Sequence, residues 1–397
     1  MLVVSYLERC EILYVTILSS RSQSADCMRS RFEGGRRLGG HGEVSIFSGL
    51  PEDAVELLSA EPEEPIDTAE IRTVLAEWVR RLRGDLSLQY MVKRSVRVIQ
   101  RSETIDRPSP SCVWALSGNA VMRRGHTVPI GLSGCGSGFR ELADPQKRER
   151  LAWMLAAIDR AEPTPSGSFP VVLAPAAAAV LLHEAIGHFV EAAPEGRADL
   201  RHRLKVRIAT ELFDLWDDPL AEGGPAHYSV DDEGTKSGGS IQVVRNGCLV
   251  AMLHSVQSAE AVGASPTSNG RAASVWDTPI ARMSNLVCSP GELIEEELVA
   301  GLNRGIYVHS LAYGQSFGTR LGAYVRLAEW IENGRRTERF LAGGVVDEDR
   351  GVLTRSTGLG NRSLFNDNAM CGKEGQVLYD VGTRCPAIRL QSLRLRA

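Results

Sequence analysis

The second half of the chain shows alternating hydrophobic and polar residues, interrupted by tight-turn signals. IQVVRNGCLVAML (residues 241–253) and YVRLAEWIENGRRTERFL (residues 324–341) each alternate on both sides of an Asn-Gly pair. Alternation is typical of half-buried strands, and Asn-Gly favours the two-residue turn of a β-hairpin. Together with IRLQSLRLR near the C-terminus, these patterns predict a mainly antiparallel sheet in this half.

The first half of the chain contains both strand-like alternation and helix-like spacing of hydrophobic residues. EILYVTIL (residues 11–18) is rich in β-branched and aromatic residues, as strands are, whereas residues 51–60 and 67–84 have helical spacing. PQKRERLAWMLAAIDRA (residues 145–161) predicts an amphipathic helix, and the Pro-, Ser- and Gly-rich stretch 162–170 predicts a boundary. We therefore predict an α+β protein with an N-terminal α/β domain (residues 1–165) and a C-terminal antiparallel β domain (residues 166–397).

Composition narrows the class of protein. Hydrophobic residues make up 43% and charged residues 24%, and the net charge is −4, so no basic footprint indicates a nucleic-acid partner. The eight cysteines contain no C-x-x-C pair, which argues against a disulfide scaffold and favours reduced thiols in the cytoplasm. The N-terminus lacks a signal-peptide pattern, and the apolar run 171–182 is too short to cross a bilayer. We expect no membrane partner.

One apolar, Ala-rich stretch has the composition of a metal site. VVLAPAAAAVLLHEAIGHFVEAA (residues 171–193) places His183, Glu184 and His188 in the pattern H-E-x-x-x-H. Two neutral imidazoles can hold a metal ion, and an adjacent carboxylate can take a proton from water. A spacing of five leaves the histidines roughly 140° apart on a regular helix. A π-bulge or a helix end near Gly187 would bring them together.

Spacing alone leaves alternatives open. Two unrelated histidines on a core helix fit the pattern equally well, and a third ligand has to come from a Cys, His or carboxylate elsewhere. His227 and His254 are alternatives, although a single His is usually structural. Glu191 follows His188 by three residues, where it could orient the imidazole.

Four motifs make a resemblance specific. HEAIGH, DDEGT (Asp231–Thr235), SPTSNGR (Ser265–Arg271) and CGKEGQ (Cys371–Gln376) follow one another in this order. The chain thereby resembles the metal-bearing, TldD-type members of the TldD/PmbA family. The resemblance implies one Zn²⁺ per chain, with His183, His188 and Cys371 as ligands and Glu184 as general base.

The resemblance also implies a substrate region. It places DDEGT at the active-site opening, whereas composition alone favours a surface turn there. We predict substrate contacts from residues of the two middle motifs, although a capped loop with a surface Arg is an equal alternative for the stretch Asn269–Arg271. These residues are Asp232, Gly234, Thr235, Asn269 and Arg271.

The function implied by the resemblance is a zinc metallopeptidase that hydrolyses peptide bonds in unfolded or modified peptides. It implies a dimer, either with a second copy or with a metal-free PmbA/TldE-like subunit. Two alternatives stay open. One is a zinc-dependent amide hydrolase or accessory enzyme in a small-molecule or peptide natural-product pathway, and the other is a non-catalytic PmbA-type partner subunit.

Overall fold

Two β-sheets account for most of the structure, which is a computed structural model. It describes residues 4–18, 25–38, 44–48, 68–81, 85–101, 104–105, 109–122, 127–135, 144–193 and 204–397. The helix predicted at residues 51–60 lies outside these described residues. Within them, the mixed α+β class predicted from the sequence is confirmed.

The N-terminal sheet is antiparallel throughout its described strands. Their order is β3-β2-β1-β4-β6-β7, and β5 pairs with β4. The strands are β1 (Val4–Leu18), β2 (Ala25–Leu38), β3 (Val44–Ser48), β4 (Asp85–Arg101), β5 (Thr104–Ile105), β6 (Ser109–Val121) and β7 (Thr127–Cys135). An α/β domain has parallel strands joined by crossover helices. The predicted N-terminal α/β domain is therefore corrected to an antiparallel, α+β arrangement.

Two helices pack on this sheet. Helices α1 (Thr68–Arg81) and α2 (Pro145–Ile158) contribute to the same buried core as Trp114 of β6. The hydrophobic face predicted for α2 is confirmed, because Leu151 and Leu155 are among its buried residues. Asp144 caps α2, since its carboxylate accepts a hydrogen bond from the Gln146 amide at 2.9 Å.

The larger sheet lies in the C-terminal half and is mainly antiparallel, as predicted. Its order is β12-β11-β10-β15-β23-β9-β16-β17-β18-β8, with β19 and β20 paired beside this path. Three of its described pairings are parallel, namely β15–β23, β9–β16 and β8–β18. The strands of this half are β8 (Glu162–Pro163), β9 (Gly167–Leu173), β10 (Leu215–Asp217), β11 (Ile241–Arg245), β12 (Cys248–Leu249), β13 (Gly270–Arg271), β14 (Ile280–Ala281), β15 (Asn285–Cys288), β16 (Arg304–Phe317), β17 (Arg320–Glu332), β18 (Arg335–Ala342), β19 (Val345–Asp349), β20 (Ser356–Phe365), β21 (Cys371–Lys373), β22 (Gln376–Leu378) and β23 (Gly382–Arg396).

Both hairpins predicted from Asn-Gly pairs are confirmed. Asn246 and Gly247 join β11 to β12 with φ of 47° and 75°, and Asn333 and Gly334 join β17 to β18 with φ of 51° and 71°. Positive φ at both central positions is the geometry of the tight hairpin turn that matches strand twist.

The helices of this half are short. They are α3 (Pro175–Leu182), a π-helical turn (His183–Gly187), α4 (His188–Val190), α5 (Val256–Glu260), α6 (Glu295–Ala300) and a 3₁₀-helix (Arg350–Arg355). Helix α3 is buried on the larger sheet through Ala177–Ala179, Leu181 and Leu182. No helix in the described part of the chain has the length and apolarity needed to span a membrane.

The two sheets share buried contacts. Leu327 of β17 and Phe340 of β18 belong to the core that α1 and α2 form with the first sheet. The Ser133 amide also donates a hydrogen bond to the Asp367 carbonyl at 2.8 Å. These contacts place α2 and β7 against the strands that carry the candidate site. The division into two domains between residues 165 and 166 stays a prediction.

Candidate metal centre

A π-helical turn brings the two histidines to one side of their helix. The His188 amide donates to the His183 carbonyl, five residues earlier, and the imidazole centroids lie 4.8 Å apart. The predicted bulge is thereby confirmed, and the extra residue in the turn removes the angular mismatch of a regular helix. Gly187 matters here for close packing, because a Cβ at this position would overlap the Met283 side chain, while its own φ of −53° is ordinary.

Cys371 at the start of β21 completes a three-donor cluster. Its Sγ lies 3.2 Å from His183 Nε2 and 3.6 Å from His188 Nε2, and all three donor atoms lie within 4.8 Å of one another. Zn–N bonds of about 2.0 Å and a Zn–S bond of about 2.3 Å in a tetrahedron separate nitrogen from sulfur by about 3.5 Å. The donor set and its spacing therefore fit a zinc ion with one position left open.

Each imidazole is oriented by a partner at its other nitrogen. His188 Nδ1 lies 2.9 Å from Glu191 Oε2, and His183 Nδ1 lies 3.2 Å from Thr383 Oγ1. In the neutral form of His188, a hydrogen on Nδ1 that is donated to the carboxylate leaves the Nε2 lone pair facing Cys371. The contact between Glu191 and His188 is the one that its position in the sequence suggested, whereas Thr383 was missed because nothing in the sequence around it marks it.

Glu191 is itself held by cations. Lys373 Nζ lies 3.1 Å from its Oε2, Arg282 Nε lies 3.8 Å from its Oε1, and the Met283 amide donates to Oε1 at 2.9 Å. Burial would raise the pKa of this carboxyl, but Lys373 and His188 hold it well below its usual range. The carboxylate therefore stays charged beside His188.

Charge within the cluster favours a thiolate. Burial would raise the pKa of the Cys371 thiol, but the His183 and His188 imidazoles hold it well below its usual range. Burial by itself would lower the pKa of His188, but Glu191 and Cys371 together outweigh burial and raise it to about 11. A proton therefore has to leave His188 before its Nε2 can bind a metal, so metal affinity depends on pH.

Glu184 lies beside this cluster with an unsatisfied carboxylate. It is 5% exposed, and its Oε2 is buried with no hydrogen-bond partner in the described chain. Gly314 of β16 approaches so closely that a Cβ there would lie 2.8 Å from Glu184 Cγ. Burial raises the pKa of this carboxyl, with the two imidazoles acting in the opposite direction. A buried carboxylate of raised pKa is suited to accept and release a proton.

A cavity of about 540 Å³ opens over the cluster. Glu184, both histidines and Cys371 form one part of its wall, while α2, β16 and β17 form another. Its lining includes exposed apolar side chains, among them Trp153, Tyr313 and Met370, which are 45%, 60% and 43% exposed. The space is large enough for a segment of a polypeptide.

The DDEGT segment is buried, which contradicts its interpretation as a surface turn. Asp231 is 2% and Asp232 6% exposed. The Asp231 carboxylate accepts hydrogen bonds from the amides of Glu233, Thr235 and Gly270, and Asp232 accepts from the Ala272 amide. The two middle motifs are therefore joined to each other by hydrogen bonds.

The predicted substrate residues lie behind the cluster. Asn269 donates to the Arg282 carbonyl at 3.0 Å, and Arg271, which is buried and not a surface Arg, donates to the Met283 carbonyl at 2.7 Å. Asp232, Gly234, Thr235, Asn269 and Arg271 are absent from the described residues that line the cavity. Their contact with substrate stays an untested prediction, while the observed contacts of Asn269 and Arg271 support the segment 282–283.

Arg282 links this support to the metal ligands and was missed from the sequence. It is fully buried, and its Nη2 donates to the Cys371 carbonyl at 2.7 Å. Lys373 adds a second restraint, because its Nζ donates to the Ala281 carbonyl at 3.0 Å. Cys371 is thus positioned through its backbone by a segment about ninety residues earlier in the chain.

Comparisons with known proteins agree with these observations. The PmbA/TldA metallopeptidase C-terminal domain matches residues 166–396. A protein of Methanothermobacter thermautotrophicus named "Metalloprotease" is 30% identical over 370 residues, covering 88% of this chain and 79% of the relative. A "Zinc metalloprotease TldD homolog" of Saccharolobus solfataricus is 28% identical over 239 residues, covering 58% and 52%.

A solved structure has the same fold. The crystal structure of TldE from Thermococcus kodakarensis aligns with a TM-score of 0.73 at 13% sequence identity, covering all of this chain and 97% of that one. At this identity the likeness concerns the fold alone.

Proposed function

The chain belongs to the PmbA/TldD metallopeptidase family, and from that premise we propose that it is a zinc-dependent peptidase. Its ligands are His183, His188 and Cys371. The observation that carries the proposal is the convergence of these three donors beside the unpartnered carboxylate of Glu184. The name of the S. solfataricus relative, a zinc metalloprotease, supports zinc as the metal.

The protein's own residues supply the proton transfers. Bound zinc would polarise the scissile carbonyl and make water more acidic. Glu184 takes the proton of the attacking water and passes it to the leaving amine. Glu191 and Thr383 keep the Nε2 atoms of His188 and His183 directed towards Cys371 Sγ, and these three donor atoms would hold the zinc ion.

An extended backbone is the substrate that the cavity suits. Strand β16 pairs with β17 along one edge, but with β9 only over Ile306–Val308 along the other. Residues 309–315 line the cavity, and no described strand pairs with that second edge there. A free strand edge binds an extended peptide through main-chain hydrogen bonds, which supports unfolded or modified peptides as substrates.

A partner subunit, either a second copy or a PmbA/TldE-like chain, completes the proposal. Apolar side chains are exposed around the cavity, with Tyr313 60%, Leu364 42% and Met370 43% exposed, and contact with a partner would remove them from water. Native mass spectrometry of the protein, alone and with such a relative, measures which assembly forms. A monomer under both conditions would contradict this part.

Metal content and activity together test the function. We expect about one zinc per chain in the wild type, no stoichiometric zinc in Cys371→Ala, and full zinc with no peptide hydrolysis in Glu184→Gln. Cys248→Ala is the matched control, because Cys248 is half-buried and outside the cluster. A well-folded wild type without zinc would refute the metal site and favour the partner-subunit alternative. Zinc without hydrolysis of any unfolded peptide would favour the amide-hydrolase alternative.

A further inference from the structure

Arg326 of β17 lines the same cavity as Glu184 and both histidines. Its Nε is buried without a hydrogen-bond partner, and no ion pair to Arg326 occurs among the described residues. Two other mostly buried arginines have carboxylate partners: Arg271 pairs with Asp380 at 2.6 Å, and Arg355 pairs with Glu348 at 2.6 Å. Within the described part of the chain, Arg326 is by contrast a cation in the cavity wall without a counter-ion.

The groups near Arg326 do not supply that counter-ion. Asp367 acts on it electrostatically, but this carboxylate forms its ion pair with Arg150 instead, at 3.2 Å. Tyr313 and Tyr324 are the other titratable neighbours, and each offers a phenolic hydroxyl, not a carboxylate. Burial lowers the pKa of Arg326 to about 10, because removal from water disfavours the charged guanidinium.

We propose that Arg326 binds a carboxylate of the peptide substrate, an inference that rests on the proposed peptidase function. The planar guanidinium matches a carboxylate with two parallel hydrogen bonds, and a partly dehydrated cation gains most from such a partner. The carboxylate is either the C-terminus of the peptide or an acidic side chain. Arg326 thereby selects peptides that carry a negative charge at a defined distance from the bond that is cleaved.

The strand register gives that distance. Gly314 of β16 lies against Glu184, whereas Val325, next to Arg326, pairs with Leu311 of β16. Gly314 and Leu311 are three residues apart, which is at most about 10 Å, because a β-bulge interrupts the register between Ala312 and Gln315. For a peptide extended along β16, the bound carboxylate therefore lies within about three residues of the bond beside Glu184.

The test compares three peptides of one unfolded sequence: the free acid, the C-terminal amide, and the amide with a single Glu placed near its C-terminus. Binding is measured on zinc-loaded Glu184→Gln protein by fluorescence anisotropy, and cleavage on the wild type by mass spectrometry. We expect the free acid to bind roughly 10- to 100-fold more tightly than the plain amide, as for a charge-assisted hydrogen bond. In wild-type kinetics the difference appears in KM, with kcat little changed.

Variants assign the effect to the side chain. Arg326→Met removes the preference for the acid, Arg326→Lys retains part of it, and Arg362→Met, at an exposed arginine of β20, leaves it intact. Preference for the Glu-bearing amide in place of the acid would identify a side-chain carboxylate as the ligand. Equal binding of all three peptides to the folded, zinc-loaded Glu184→Gln protein would overturn the inference, even if Arg326→Met does not fold. If the three peptides bind equally but the wild type contains zinc and hydrolyses them, the proposed peptidase function is unaffected.

Discussion

Replacing Glu191 with Gln tests whether the carboxylate behind His188 sets metal affinity. The Oε2 atom of Glu191 contacts both His188 Nδ1 and Lys373 Nζ, and its Oε1 atom accepts a hydrogen bond from the Met283 amide. All three partners are donors. An amide side chain has only one acceptor oxygen, so in either orientation of the substituted amide its NH₂ group faces a donor. The variant also removes the negative charge that favours a hydrogen on Nδ1 of His188.

The expected loss of zinc affinity is 10- to 100-fold, the range for removal of a group that orients a metal-bound His. This corresponds to about 1.4–2.7 kcal/mol of binding free energy. The larger value is favoured here because Glu191 is 4% exposed, so water cannot replace the lost acceptor.

The assay is competition for zinc with a chromogenic chelator at fixed pH, with circular dichroism to verify the fold. Glu211→Gln is the matched control, because Glu211 is an exposed carboxylate in the same half of the chain. It should have the affinity of the wild type. A Glu191→Gln protein that is folded and binds zinc as tightly as the wild type would refute the reasoning.

Three further predictions concern packing, pH and metal. Gly187→Ala should lower the free energy of unfolding by about 1–3 kcal/mol, because the new methyl overlaps Met283, whereas Gly238→Ala, in open space, should change it little when both are measured by urea denaturation. Burial raises the pKa of Glu329, but the hydrogen bonds from His309 and the Glu338 amide, together with the charges of His309 and Arg336, outweigh burial and lower it. The stability that Glu329 contributes is therefore present above pH 4.5 and is lost as the pH falls below that value. Glu329→Gln should flatten this decline, and equal slopes in both proteins would contradict the assignment. Removal of zinc with a chelator should lower Tm, because the metal binds only the folded chain, and an unchanged Tm would exclude a structural contribution from the metal.

Local sequence determined the elements whose signals lie within a few residues. The Asn246-Gly247 and Asn333-Gly334 pairs require positive φ, so their hairpins follow from turn chemistry alone. The hydrophobic face of α2 follows likewise from helical spacing. Even the irregular turn at His183–Gly187 was predictable, because a spacing of five between two ligands of one ion is incompatible with a regular helix.

Tertiary structure decided what depends on pairing between distant segments. The antiparallel order of the N-terminal sheet is set by which strands meet, and the propensity of a single segment for strand does not specify its partners. The burial of Asp231 and Asp232 depends on amides of the segment 270–272, so their acidic composition indicated a surface turn instead. Arg282 and Thr383 show no motif, because their contribution lies in where the fold places them beside Cys371 and His183. Candidate metal ligands and a candidate general base can thus be identified from the sequence, whereas the contacts that orient them form only when the chain folds.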